Sequence, residues 1–295
     1  MSDTFASLRS ALTAPILSPT KARSGCLSTG SILLDKMLSA DTECALRQGD
    51  VIWFHGTSGS CRTFLAHQVL AEAANNTFFN DYCLFYDNPM SARPSADFGS
   101  HYRTRVEYLA SLSVAEWLTR LNEACQSGRR CIYVLDSVNA LQGNSIENAR
   151  LINAQIRNIC QMFNRNQSIL LYISDDVNSF TPDTTRTLRD VPDKILFFEV
   201  IPFDEKYNCC TNVRITVQKR PSLSNFQREH IFTFIPNYGI DDARACFTFL
   251  FLRDVIQRTA SNLFTLSRLG MQRFTFDEFV DEFDDIKSLI KPLLI

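Results

Sequence analysis

One short stretch narrows what this chain can fold into more than any other. Val51-Ile52-Trp53-Phe54-His55 is a continuous apolar run of strand length, Gly56-Thr57-Ser58-Gly59-Ser60 follows directly, and Thr63 to Ala74 then carries Phe64, Leu65, Val69 and Leu70 in a helical pattern. A strand that is apolar along its whole length is covered on both faces, which is the condition of a parallel sheet flanked by helices. The unit recurs. Cys83-Leu84-Phe85-Tyr86, Cys131-Ile132-Tyr133-Val134-Leu135 and Ile169-Leu170-Leu171-Tyr172-Ile173 are further strand-length runs, and the first two end at Asp87 and Asp136. Val114 to Cys125 and Ile146 to Phe163 read as the intervening helices. In the second of these, Ala149, Ile152, Ile156, Ile159 and Phe163 recur at spacings of three and four. The expected class is α/β, with a mainly parallel central sheet.

The pattern changes after the fourth run. Ile195 to Val200, Val213 to Val217 and Ile231 to Ile235 read as strands with no helix between them, so they are expected to extend the sheet as antiparallel partners. Beyond Asp241 the chain reads as helical to its end. Thr275 and Glu278 form a capping-box signature, and Phe276, Phe279, Phe283, Ile286 and Ile290 give the last helix one apolar stripe. Asp277, Glu278, Asp281 and Glu282 fill its first turns and Lys287 and Lys291 its last, as the helix dipole prefers. Three segments follow: an arm and linker over 1–25, a core over 26–240 and a helical region over 241–295.

Composition sets limits on function. The 295 residues are 45% hydrophobic, enough for a sizeable core, and the formal net charge of −2 excludes a surface that is basic overall. No run of about 18 apolar residues marks a membrane span. Met1 to Pro19 has only Arg9 as a basic residue and no long apolar stretch, so no secretory signal is read there and the expected location is intracellular. The ten cysteines include no C-x-x-C pair and the four histidines are widely spaced, so reduced, mostly buried thiols are expected rather than a zinc site.

The loop after the first strand carries chemistry. Gly56-Thr57-Ser58-Gly59-Ser60-Cys61-Arg62-Thr63 follows the pattern G-x-x-x-x-G-K-S/T at Gly56 and Thr63. In that pattern the backbone N–H groups and the positive end of the following helix cradle phosphates. Here Cys61 replaces the second glycine and Arg62 the lysine. A Cβ at position 61 narrows the backbone's freedom, and a planar arginine fork is not equivalent to a compact ammonium. A strand-to-helix turn that binds nothing is the alternative reading of the motif alone.

The surrounding residues resemble the RecA family of recombinases, particularly phage members of the UvsX type. Cys26-Leu27-Ser28-Thr29-Gly30-Ser31-Ile32-Leu33-Leu34-Asp35 resembles the family's "STG…LD" stretch before the loop, and Arg47-Gln48-Gly49-Asp50-Val51 resembles the approach to its first core strand. Cys83 to Asp87 is similar to the second strand. Val134-Leu135-Asp136-Ser137-Val138-Asn139-Ala140-Leu141 looks like the Walker B strand and its continuation. Val217-Gln218-Lys219-Arg220 and Phe232 to Ile240 are similar to the late strands and the glycine–isoleucine turn. The resemblance runs in order over roughly residues 26 to 245.

It implies a RecA-like P-loop core that binds ATP and Mg²⁺ and self-associates as an oligomer or filament on single-stranded DNA in recombination and repair. If the chain is phage-encoded, the host cytoplasm, with or without DNA association, is the implied location. Gly56, Thr57, Ser58, Gly59, Ser60, Cys61, Arg62 and Thr63 would then hold nucleotide phosphates, and Thr63 and Asp136 would support Mg²⁺. Lys219 and Arg220 fall where the family's cations reach a neighbour's nucleotide. The position of the family's water-activating glutamate holds Pro89, with Asp87 as a candidate substitute, and the γ-phosphate sensor position holds Asp175. Impaired hydrolysis is therefore expected. The DNA-contacting loops would be Gln142 to Glu147 and Asp176 to Asp193, with Arg186, Arg189, Arg214 and Arg228 as candidate contacts and Lys194 just beyond. The competing expectation is a non-hydrolysing RecA-like protein with a structural or partner-binding role.

Overall fold

A computed structural model of the chain describes residues 25–39, 45–89, 98–141, 145–175, 182–202, 210–221, 226–236 and 238–294. Two compact units form, one over Gly25–Ile240 and one that includes Asp241–Ile295. The arm expected over 1–25 lies almost wholly outside the described residues, and Gln142 to Asn144 of the first expected DNA loop lie outside them too.

The first unit runs β1 (Cys26–Leu27), α1 (Ile32–Ser39), β2 (Leu46–Arg47), β3 (Val51–Gly56), α2 (Arg62–Asn75), β4 (Cys83–Asp87), α3 (Ser100–Arg105), β5 (Val106–Leu109), α4 (Val114–Gln126) and β6 (Cys131–Asp136). It continues with α5 (Ser145–Arg165), β7 (Ile169–Asp175), α6 (Pro182–Asp190), β8 (Lys194–Ile201), β9 (Thr211–Lys219), β10 (Glu229–Ile235) and β11 (Gly239–Ile240). Nine strands make one sheet in the order β11-β10-β9-β8-β3-β7-β6-β4-β5. The six from β8 to β5 are parallel, and β9, β10 and β11 are antiparallel. The sheet is thus α/β and mostly parallel, as the apolar runs require.

Alternation along the strands divides the core. Val51, Trp53, Tyr133, Leu135, Leu170 and Tyr172 join Trp117, Leu121, Ile152, Ile156, Ile159 and Phe163 of α4 and α5 in one cluster. Ile52, Phe54, Ile132, Val134, Leu171 and Ile173 are the intervening, equally buried positions, and α2 packs against β6 and β7. The "STG…LD" stretch has a local explanation. The Asp35 carboxylate accepts hydrogen bonds from Ser28 Oγ at 2.5 Å, Thr29 N at 2.8 Å and Thr29 Oγ1 at 2.6 Å, closing the turn that starts α1.

Four expectations are corrected. First, β8 runs parallel to β3, because α6 supplies the crossover that a parallel pair needs. The second expected DNA loop is therefore in part this nine-residue helix, anchored by buried Leu188 and Thr187; its residues 176–181 lie outside the described residues. Second, the C-terminal unit is not all helical. Between α7 (Asp242–Leu252) and the final helices lie β12 (Gln257–Ala260), β13 (Leu263–Leu266) and β14 (Met271–Phe274), an antiparallel three-stranded sheet. Its four-residue strands are too short, and β12 too exposed, to carry an apolar alternation. Third, the last helix is two, α8 (Phe276–Asp281) and α9 (Phe283–Ile290), with the capping box at Thr275 and Glu278 in place. Their stripe packs within its own unit: Phe279 lies 5.3 Å from Phe247 and 5.9 Å from Phe283 between ring centroids. Fourth, Cys26 is disulfide-bonded, against the expectation of reduced thiols throughout. Cys125 and Cys131 are free, and burial pushes their thiols up to about 11 and about 12, which makes them poor nucleophiles.

Candidate functional site: a phosphate-type loop closed by an ion pair

The loop lies at the C-terminal end of the parallel strands, where ligands of open α/β sheets bind. Its first residue has to be glycine. Gly56 has φ +148, and a Cβ there would stand 1.9 Å from the carbonyl oxygen of Phe198. Thr57 N donates to that same oxygen at 3.0 Å, locking the start of the loop to β8. Cys61 is held at φ 59, the left-handed conformation that glycine adopts without penalty and that a residue with a Cβ disfavours. Burial raises the pKa of the Cys61 thiol. Thr57, Ser58, Gly59 and Thr63 are exposed and Ser60 is buried. The Cys61 side chain makes no cap hydrogen bond to α2, so among the described residues the first-turn N–H groups are left to face an anion or water. Ser60 Oγ is also without a hydrogen-bond partner among the described residues.

Two strands bring acidic residues to this loop. At the end of β6, Asp136 accepts from Thr63 Oγ1 at 2.7 Å and from Tyr86 Oη at 2.6 Å. Burial, and after it the charge of Asp136, push the Tyr86 pKa upward, so the phenol stays a donor. At the end of β7, Asp175 pairs in register with Gly56, and its carboxylate lies 2.8 Å from Arg62 Nη2. Arg62 is 7% exposed. It also donates to the backbone oxygens of Thr57, at 3.1 Å, and Ser174. Arg62 and Asp175, two of the four departures from the pattern that the chain resembles, are 113 positions apart and bind each other.

Asp87 does not suit a base. It is fully buried, and its carboxylate accepts from Ser111 N at 2.7 Å, Ser111 Oγ at 2.5 Å and the Tyr133 hydroxyl. Those bonds tie β4 to β6 and to the segment after β5, a positioning task that corrects the reading of Asp87 as a substitute catalyst. Arg220 is likewise taken up: it is buried and donates to Met37 O at 2.5 Å and Phe226 O at 2.9 Å, so it is not an outward-reaching cation. Lys194 is buried in a pair with Asp50 and is not a surface cation either. Lys219 is different. Its Nζ donates to Asp190 O at 3.0 Å, and it pairs with Ile195 at the start of β8, away from the loop at that strand's other end.

Of the candidate DNA contacts, Arg186 and Arg189 are exposed on α6, and Arg186 Nε lies 4.0 Å from the Asp190 carboxylate. Arg228 donates to Gln218 O at 3.5 Å, one residue from Lys219. The structure therefore gathers Arg186 and Lys219 around Asp190, with Arg228 beside them in sequence pairing. Arg214 stands apart, 2.8 Å from Glu199 and 3.3 Å from Glu229, its charge offset by both.

The site as a whole fits a nucleotide phosphate chain in part. The Gly56 cradle and uncapped α2 terminus are present, and Thr63 and Asp136 are the residues that would hold Mg²⁺. Among the described residues no group of three or more His, Cys, Asp or Glu side chains could hold a metal by itself, so the phosphates would have to supply the remaining ligands. The lysine-like cation is committed elsewhere. No family model matches this chain, and no curated protein matches it.

Sequence reading missed the polar aromatic cluster behind the loop, because its members come from separate elements. His67 of α2 stacks on Tyr86 at 4.0 Å between centroids, and its Nδ1 lies 2.5 Å from Tyr102 Oη. Burial lowers the His67 pKa from 6.5 to about 4. The folded state therefore favours neutral His67. The stability this confers is complete above pH 6.5 and is lost as pH falls through 4, an expected loss of about 3 kcal/mol by about pH 4. Urea unfolding of the protein and of His67→Gln across this range checks it: the variant should show a shallower pH slope, and equal slopes would refute it.

Proposed function

We propose that this chain is a RecA/UvsX-like DNA recombination and repair protein, which binds adenine nucleotide and single-stranded DNA as an oligomer or filament and hydrolyses ATP poorly. One observation carries the reading. A glycine-started loop at the end of β3 sits beside a Thr63–Asp136 pair at the end of β6, while the cation of the loop is bound to Asp175. The first half of that arrangement supports phosphate and Mg²⁺ binding, and the second supports weakened catalysis. The ordered resemblance over residues 26 to 245 and the mostly parallel sheet support a RecA-like core. Exposed Arg186, Arg189 and Arg228, with Lys219, support a contact with phosphodiester backbone or with a neighbouring subunit.

The test is equilibrium binding of labelled single-stranded DNA and of a fluorescent ATP analogue with Mg²⁺. Nucleotide binding that tightens DNA binding, in a form lost at high salt, is the expected result. If neither ligand binds at high micromolar protein, the second reading takes over: a non-hydrolysing RecA-like protein with a structural or partner-binding role. The burial of Arg220 and Lys194 and the neutralisation of Arg214 and Arg62 within the chain favour that reading. Among the described residues no helix is long and apolar enough to cross a membrane.

A further inference from the structure

We infer that the loop selects a nucleoside diphosphate over the corresponding triphosphate, and that Asp175 sets the preference. This rests on the nucleotide-binding reading above. Asp175 is placed by the sheet: β7 lies next to β3, and the register puts Asp175 opposite Gly56. Its backbone N–H donates to Asn139 Oδ1 at 2.7 Å, which fixes the end of the strand. Its side chain is 53% exposed while its carboxylate contacts Arg62, so the charge is open to solvent next to the loop.

Arg62 is the only cation between Gly56 and Thr63. Its Nη2 is shared between Thr57 O and Asp175 Oδ1, and its Nη1 donates to Ser174 O. Because the Arg62 and Asp175 atoms are 2.8 Å apart, any phosphate that engages this guanidinium also comes within a few ångströms of the carboxylate. Such a phosphate either meets like charge or breaks the pair. The donors suited to the first two phosphates need no cation. They are the uncapped N–H groups at the start of α2 and the buried Ser60 hydroxyl, which has no partner among the described residues. A diphosphate is therefore served by the loop, and the extra negative charge of a triphosphate is not.

Titration calorimetry of the full chain with MgADP and with a Mg²⁺-bound β,γ-imido ATP analogue tests this. For the protein as it is, ADP should bind about tenfold more tightly. Asp175→Asn should raise affinity for the ATP analogue about tenfold and leave ADP within about twofold, while Asp175→Glu, which keeps the charge, should keep the preference. Thermal unfolding of both variants establishes that they are folded. Equal affinities in the unsubstituted protein, or an Asp175→Asn ratio that does not move, would overturn the assignment to Asp175 and leave nucleotide binding intact. Binding of neither nucleotide by the protein or by Asp175→Asn would overturn the inference together with the nucleotide reading.

Discussion

ATP turnover by the purified chain, with Mg²⁺ and saturating single-stranded DNA, is expected to lie at least about 100-fold below that of a P-loop ATPase with an intact general base. On the RecA-like reading proposed above, the water-activating position holds Pro89, which has no group able to take a proton from water. Asp87 cannot replace it, because three donors and complete burial leave its carboxylate no access to a nucleophile. The barrier has a second source. Transfer of a phosphoryl group needs a cation at the developing charge, and Arg62 is instead neutralised by Asp175. Pro89→Glu alone should therefore leave turnover near background. A phosphate-release assay showing turnover within about tenfold of such an ATPase would sink both claims.

Lys194→Met is expected to destabilise the protein by about 3–5 kcal/mol, since it removes one partner of a buried ion pair. Lys194 is 2% exposed and Asp50 10%, and they join the start of β8 to the residue just before β3. Asp50 keeps the hydrogen bond from Arg47 N at 2.7 Å, but that neutral donor does not compensate the charge. The same junction carries the bond from Val51 N to Asp193 at 2.9 Å, so the loss should loosen the strand that leads into the loop. Asp50→Asn in the Lys194→Met background should recover part of the loss, because no unpaired charge then remains buried. Denaturant unfolding of the two single variants and the double variant measures this. A cost below about 1 kcal/mol for Lys194→Met would mean that the pair is solvated and does not behave as a buried one.

Much of the frame was legible in the residues themselves. Continuous apolar runs announce strands covered on both faces, the recurrence from Ala149 to Phe163 announces α5, and a glycine after Val51 to His55 announces a tight strand-to-helix loop. These are local properties, fixed by backbone period and by the absence of a Cβ at Gly56. The direction of β8 was not legible. It depends on α6, whose polar sequence shows no apolar face beyond Leu188. Nor was the strand pairing of β12 to β14, where four residues per strand leave too little period to read.

The sequence by itself determined which residue types stand in and around the loop: Cys61 and Arg62 after Ser60, Asp175 after the apolar run from Ile169, and Pro89 two residues beyond Asp87. Only the tertiary structure decided what those residues do. Arg62 meets Asp175 across 113 positions, Asp87 meets Tyr133 across 46, and Lys194 meets Asp50 across 144. Strand order and register set these meetings through long-range pairing. A charge that reads as a ligand for phosphate along the chain becomes, once β7 lies beside β3, half of an ion pair the protein makes with itself.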